Sequence, residues 1–203
     1  MATIDGLIAR VPALPRYVLA AVLLCGLILA MVFQRAEILR SGREVRLEVV
    51  PIDPRDLFRG DYVVLGYRIG TVDLPKDTTS SFTRGQKVFV TLRPDTNNKS
   101  RAVAISAEQP AASGSDIVIS GFVSSPSTCP FNETGARDCK LGRRAVDVRY
   151  GLESYFVPQG EGKKIETTEK ARLEVVAAIA PSGQAAIKRL LIDGLPVYDE
   201  PPY

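Results

Sequence analysis

A mostly β domain behind one N-terminal apolar helix is the fold this sequence predicts. Three patterns predict it: an uncharged apolar run from Tyr17 to Phe33, short alternating segments from Glu44 onward, and clusters of Pro, Gly, Asn and Asp between those segments. The expected domain is a β-sandwich or a partly open β-barrel with one or two short helices. The expected divisions are a tail at 1–16, an anchor at 17–33, a juxtamembrane linker at 34–43 and one β-rich domain at 44–203.

The apolar run lies between Arg16 and Arg35. At the rise of an α-helix its 17 residues span roughly 25 Å, enough to cross the hydrocarbon core when the flanking arginines snorkel. It is long for the apolar core of a signal peptide, and no clean small-x-small cleavage site follows it, so the reading is an uncleaved single-pass anchor in a lipid bilayer. Two observations bear on sidedness and they oppose each other. Arg10 and Arg16 before the anchor are outnumbered by Arg35, Arg40, Arg43 and Arg46 after it, which by itself points the domain inward. Cys129 and Cys139 flank a hydrophilic run suited to a disulfide-closed loop, which belongs to an oxidising compartment. The cysteine pair decides for an extracytoplasmic domain.

Glu44–Val50 alternates as a half-buried strand does, and Asp61–Ile69 reads as the next strand. Between them, 51–60 reads as a short helical turn with Asp53 as N-cap, Pro54 at the first helical position and Gly60 as the left-handed exit. Lys87–Leu92 with Arg101–Ala107, and Arg172–Ile179 with Ala185–Ile192, read as hairpins around turn-forming residues. Ile117–Val123 and Ala145–Tyr150 add strands, and Gly162–Lys170 is a short polar helix candidate with Glu166 and Lys170 four residues apart.

At residues 60–67 the chain reads Gly-Asp-Tyr-Val-Val-Leu-Gly-Tyr, which resembles the bacterial GDYxxLxY family at all five fixed positions. The approach from Val50 to Arg59 and the segment Tyr150–Pro158 are similar as well. The resemblance implies a bacterial membrane protein of uncharacterised function, encoded in many cases beside a polytopic membrane protein. The expected location is then the inner membrane, and such a protein is the expected partner.

Alternation along an extended motif puts Val63, Leu65, Tyr67 and Ile69 on one face and Tyr62, Val64 and Arg68 on the other. Leu65 and Tyr67 then belong to the core, with Gly60 as a third structural residue. Asp53, Arg55, Asp56, Arg59, Asp61 and Tyr62 form a polar edge suited to gripping a partner chain or an envelope glycan. Glu153 and Tyr155, a carboxylate beside an aromatic, are further binding candidates.

Catalysis by histidine is excluded because the chain contains none, and a closed zinc site lacks its usual ligands. The segment from Pro54 to Leu65 also resembles the stretch around the nucleophile of type I signal peptidases. However, the nucleophile position three residues before that proline is Pro51, which has no nucleophilic group; Lys188 is the corresponding lysine candidate, and Ser154 and Ser182 are other conceivable nucleophiles. The spacing of Asp53, Asp56 and Asp61 is not that of a calcium loop, so no metal and no cofactor are expected. Beyond Phe33 there are 24 Lys and Arg against 22 Asp and Glu, far from the basic footprint nucleic acid requires. The sequence therefore points to a non-catalytic accessory or assembly protein. A Ser–Lys envelope hydrolase and a glycan-binding module are the alternatives, and oligomeric state is left open.

Overall fold

The structure, a computed structural model, describes residues 13–50, 62–74, 81–130, 137–141, 144–156, 168 and 172–199. The chain divides into two units, Met1–Glu37 and Ile38–Tyr203.

Helix α1 runs Ala13–Ser41. Within it, Leu14–Ser41 is the one helix among the described residues long and apolar enough to cross a membrane, with a mean hydropathy of 2.4. Leu19, Leu23, Leu27 and Phe33 are exposed, and apolar residues surround the axis instead of forming one stripe. The helix continues through residues 34–41, most of the stretch expected as a linker. The physical reason is local: good helix formers follow Phe33, and neither Gly nor Pro interrupts them before Gly42. The Gly42 amide then donates to the Ile38 carbonyl at 3.0 Å, closing the last turn.

The β structure comprises, among the described residues, β1 (Arg43–Val50), β2 (Tyr62–Val64), β3 (Gly66–Tyr67), β4 (Thr71–Leu74), β5 (Lys87–Pro94), β6 (Ser100–Ser106), β7 (Ile117–Thr128), β8 (Arg144–Arg149), β9 (Ser154–Phe156), β10 (Leu173–Ile179), β11 (Ala185–Ile192) and β12 (Leu195–Asp199). One sheet has the order β12-β11-β10-β1-β3, a second β4-β8-β7-β5-β6, and β2 pairs with β9 as a separate ribbon. A parallel bridge between Arg46 and Lys99 joins β1 to the start of β6, so the two larger sheets run on into a nearly closed, barrel-like wall. The expected mostly β fold with an N-terminal apolar helix is what forms.

Both expected hairpins are present, as β5–β6 and β10–β11. The motif segment is not the single strand expected over 61–69. It breaks into β2, one residue outside both strands at Leu65, β3 and a 3-10 turn at Arg68–Gly70. The second 3-10 turn is Cys139–Leu141. The helical turn expected at 51–60 lies outside the described residues, as does all of Gly162–Lys170 except Thr168.

Alternation fills the interior. Val45, Leu47 and Val49 of β1 point inward with Val175, Ala177 and Ile179 of β10, and meet Val88, Val90 and Leu92 of β5 and Val146 and Val148 of β8 from the second sheet. β10 is buried almost continuously because both of its faces are covered. Its inward residues join the core, while Ala178, paired with Ala186 of β11, lies against Ile38 and Leu39 of the last helical turn. Small side chains leave room there for the close approach. A Cβ on Gly42 would stand 2.4 Å from the Ile38 carbonyl oxygen and 3.0 Å from Ala178.

Candidate functional site

The structure brings together the two segments the sequence singled out separately. β2 of the motif pairs antiparallel with β9, with Tyr62 opposite Phe156, Val63 opposite Tyr155 and Val64 opposite Ser154. The Leu65 amide continues the pairing by donating to the Glu153 carbonyl at 2.8 Å. Beyond Leu65 the chain changes partner, and β3 pairs with β1 through Tyr67 opposite Val49 and Gly66 opposite Val50. The motif is thus a crossover from the ribbon to the first sheet. Leu65, with no exposed surface, is driven into the core at the point of change.

Two buried tyrosines lock this crossover. The Tyr67 hydroxyl donates to the Leu152 carbonyl at 2.8 Å, and the Tyr150 hydroxyl donates to the Ile69 carbonyl at 2.6 Å. Each reaches from one segment to the backbone of the other, giving a buried carbonyl a hydrogen-bond partner. Burial, with the nearby Glu153 carboxylate as a smaller cause, pushes the Tyr150 hydroxyl pKa well above the ordinary tyrosine value.

Glu153 is given its task by the turn it closes. Its two carboxylate oxygens accept from the Tyr150 amide at 2.6 Å and the Gly151 amide at 2.9 Å. Gly151 has a φ of +77°, a left-handed conformation that glycine adopts without a steric penalty. The carboxylate expected to meet a ligand is therefore engaged with its own backbone. Tyr150 is buried and its hydroxyl is used internally.

Asp53, Arg55, Asp56, Arg59, Gly60 and Asp61 lie outside the described residues. Tyr62 and Tyr155 are placed by backbone and register only. Leu65 and Tyr67 are buried, as the alternation predicts, and so is Ile69. Among the described residues, the ribbon's strands pair only with each other, so each keeps one unpaired edge.

Cys129 and Cys139 form a disulfide with their Cα atoms 4.8 Å apart. Arg137, inside the closed loop, donates to the Cys129 carbonyl at 3.2 Å and reaches both carboxylate oxygens of Asp147 on β8 at 3.0 Å. Asp147 also accepts from the Thr71 hydroxyl of β4 at 2.6 Å. The bridge thereby presents an arginine that ties the loop to the second sheet. The arginine's role carries no sequence signal, since nothing local marks Asp147 as its partner.

Among the described residues no group of three or more Cys, Asp or Glu is arranged to hold a metal ion. Lys188, the candidate dyad lysine, donates to the Glu44 carboxylate at 2.8 Å. Ser154 is exposed on β9, and Ser182 lies exposed in the β10–β11 turn, where its hydroxyl accepts from the Gln184 amide at 3.5 Å.

The family model described as GDYXXLXY protein matches residues 24–190, from within the helix to β11. The chain belongs to the GDYXXLXY family. No curated protein and no solved structure gives a significant match. The fixed positions of the family motif acquire a structural meaning in this fold: Leu65 and Tyr67 belong to the crossover, with the Tyr67 hydroxyl closing on Leu152. Family membership brings no activity with it, so function has to be argued from the surface.

Proposed function

We propose that this member of the GDYXXLXY family is a single-pass protein of the bacterial inner membrane whose extracytoplasmic β domain serves as an accessory or assembly subunit for a polytopic membrane protein. The contact surface in this reading is the Asp53–Tyr67 region together with β9. The observation that carries it is the ribbon: β2 and β9 pair outside both larger sheets and keep unpaired edges among the described residues. Such edges can accept an added strand from a partner, with neighbouring side chains supplying specificity. Anchoring is supported by a helix of 28 residues with exposed apolar side chains around its axis. The extracytoplasmic side is supported by the Cys129–Cys139 disulfide.

A photo-crosslinker placed at Tyr62 of the full chain in native membranes tests the reading. The expected product is an adduct with an integral membrane protein, lost when the same probe is placed at Arg84, in an exposed turn on the domain. An adduct with cell-envelope glycan would instead favour the binding-module alternative. Recovery of identical adducts from Tyr62 and Arg84 would remove the ribbon as the contact surface.

A further inference from the structure

Apart from the motif, the domain carries a cleft of about 440 Å³ whose charged lining consists of Arg43, Glu44, Arg46 and Arg189. We propose that this cleft binds a phosphate group. The pairing register builds it: Arg46 of β1 stands opposite Val176 of β10, which stands opposite Arg189 of β11. The two arginines therefore share one cross-strand row and one face, with backbones roughly 10 Å apart.

The single carboxylate in the lining is already matched. A register shift between β10 and β11 leaves Lys188 as an extra residue beside Arg189. Both then reach Glu44, Lys188 at 2.8 Å and Arg189 at 3.0 Å to each oxygen. Arg43 donates to the Asp116 carbonyl at 3.3 Å, while the Asp116 carboxylate itself is held by Arg93 at 2.8 Å. Arg46 has no carboxylate partner among the described residues. The excess is cationic and rich in N–H donors, with guanidinium forks that fit phosphate oxygens.

A second, independent feature points the same way. Ser100, only 5% exposed, lines the cleft, and its hydroxyl has no hydrogen-bond partner among the described residues. A buried hydroxyl without a partner costs stability unless a ligand or water supplies one.

Position favours an anionic phospholipid headgroup as the source. The helical span of 28 residues measures about 42 Å, close to the thickness of a bilayer including its headgroups. Arg43 follows two residues after the last helical residue, Ser41, so in the anchored reading the chain enters the cleft lining directly from the membrane surface. The assignment to lipid rests on the anchored reading above; the phosphate chemistry of the cleft does not.

The test uses the full chain in a non-ionic detergent, titrated with sodium pyrophosphate by calorimetry and, separately, supplied with phosphatidylglycerol or phosphatidylcholine and read by native mass spectrometry. The expected result is pyrophosphate binding together with preferential retention of phosphatidylglycerol, both weakened about tenfold or more by Arg46→Gln and unchanged by Arg84→Gln. Pyrophosphate binding without lipid preference would uphold the phosphate site and assign it a soluble source. If Arg46→Gln lowers the melting temperature, Arg46→Lys, which keeps the charge and loses the fork, takes its place with a several-fold loss expected. Absence of binding to either probe, or binding undiminished in a folded Arg46 variant, would overturn the proposal. Failure of the anchored reading alone would show differently: alkaline carbonate would strip the chain from membranes while pyrophosphate binding persisted.

Discussion

Tyr67 and Tyr150 perform the same task in opposite directions, each placing a hydroxyl on the other segment's main chain. Tyr67→Phe removes one donor and leaves the Leu152 carbonyl buried without its partner, an expected loss of about 1–3 kcal/mol in thermal or denaturant unfolding of the full chain. Tyr67→Ala adds the loss of the ring and should cost about 3–5 kcal/mol. Tyr150→Phe should resemble Tyr67→Phe at neutral pH but differ in alkali. The folded-state pKa of Tyr150 is raised, so its stabilising contribution is complete below the unfolded tyrosine value near about 10 and is lost as pH rises beyond it. Melting temperature measured from pH 8 to 11 should fall more gently in Tyr150→Phe than in the parent; parallel curves would remove the tyrosine from the account.

At the scale of elements, two joints are open to measurement. The passage from α1 to β1 occupies one residue, Gly42, and a Cβ there would run into the Ile38 carbonyl oxygen and press on Ala178. Gly42→Ala is expected to lower stability by about 1–3 kcal/mol through overpacking, with the melting temperature of the detergent-solubilised chain as readout. Ala178→Gly in the same background should recover part of the loss if contact with that side chain contributes. The second joint is the disulfide loop. Replacing Cys129 and Cys139 by serine should cost about 3 kcal/mol in the chain-entropy model and free Arg137 from its constrained position opposite Asp147. A matched loss in Arg137→Ala, with no further loss when the two changes are combined, would show that the bridge acts through that arginine.

For the molecule as a whole, sidedness sets the arginine distribution against the cysteine pair, and thiol labelling discriminates between them. An impermeant thiol reagent applied to intact cells carrying Cys25→Ser, which removes the free thiol of α1, should label Cys129 and Cys139 only after external reduction. Labelling without reduction, and only after the inner membrane is permeabilised, would place the domain on the cytoplasmic side. The extracytoplasmic accessory reading would fall with that result, whereas the fold and the tyrosine lock would be unaffected.

The apolar helix, most strands, both hairpins, the disulfide pair and the buried positions Leu65 and Tyr67 were legible in the sequence because each depends on local pattern: an uncharged run, a two-residue period, turn residues or cysteine spacing. The same periodicity misread 61–69 as one strand, since alternation shows which residues point inward and says nothing about a change of neighbour at Leu65. The helix end at Ser41 was missed because the loss of apolar character after Phe33 marks the edge of a hydrocarbon core, not the end of a helix. That the Glu153 carboxylate accepts the Tyr150 and Gly151 amides and closes its own turn was not legible, because that role is set by the conformation of the backbone around it. What only the tertiary structure decided are relations between distant segments: the pairing of β2 with β9, the Tyr67 and Tyr150 contacts separated by 85 and 81 residues, and the arginine row across β1, β10 and β11. Local preference determines which residues become strands and which side turns inward. Which strand lies beside which is settled by the closing of the whole wall, where core packing and backbone pairing must be satisfied together.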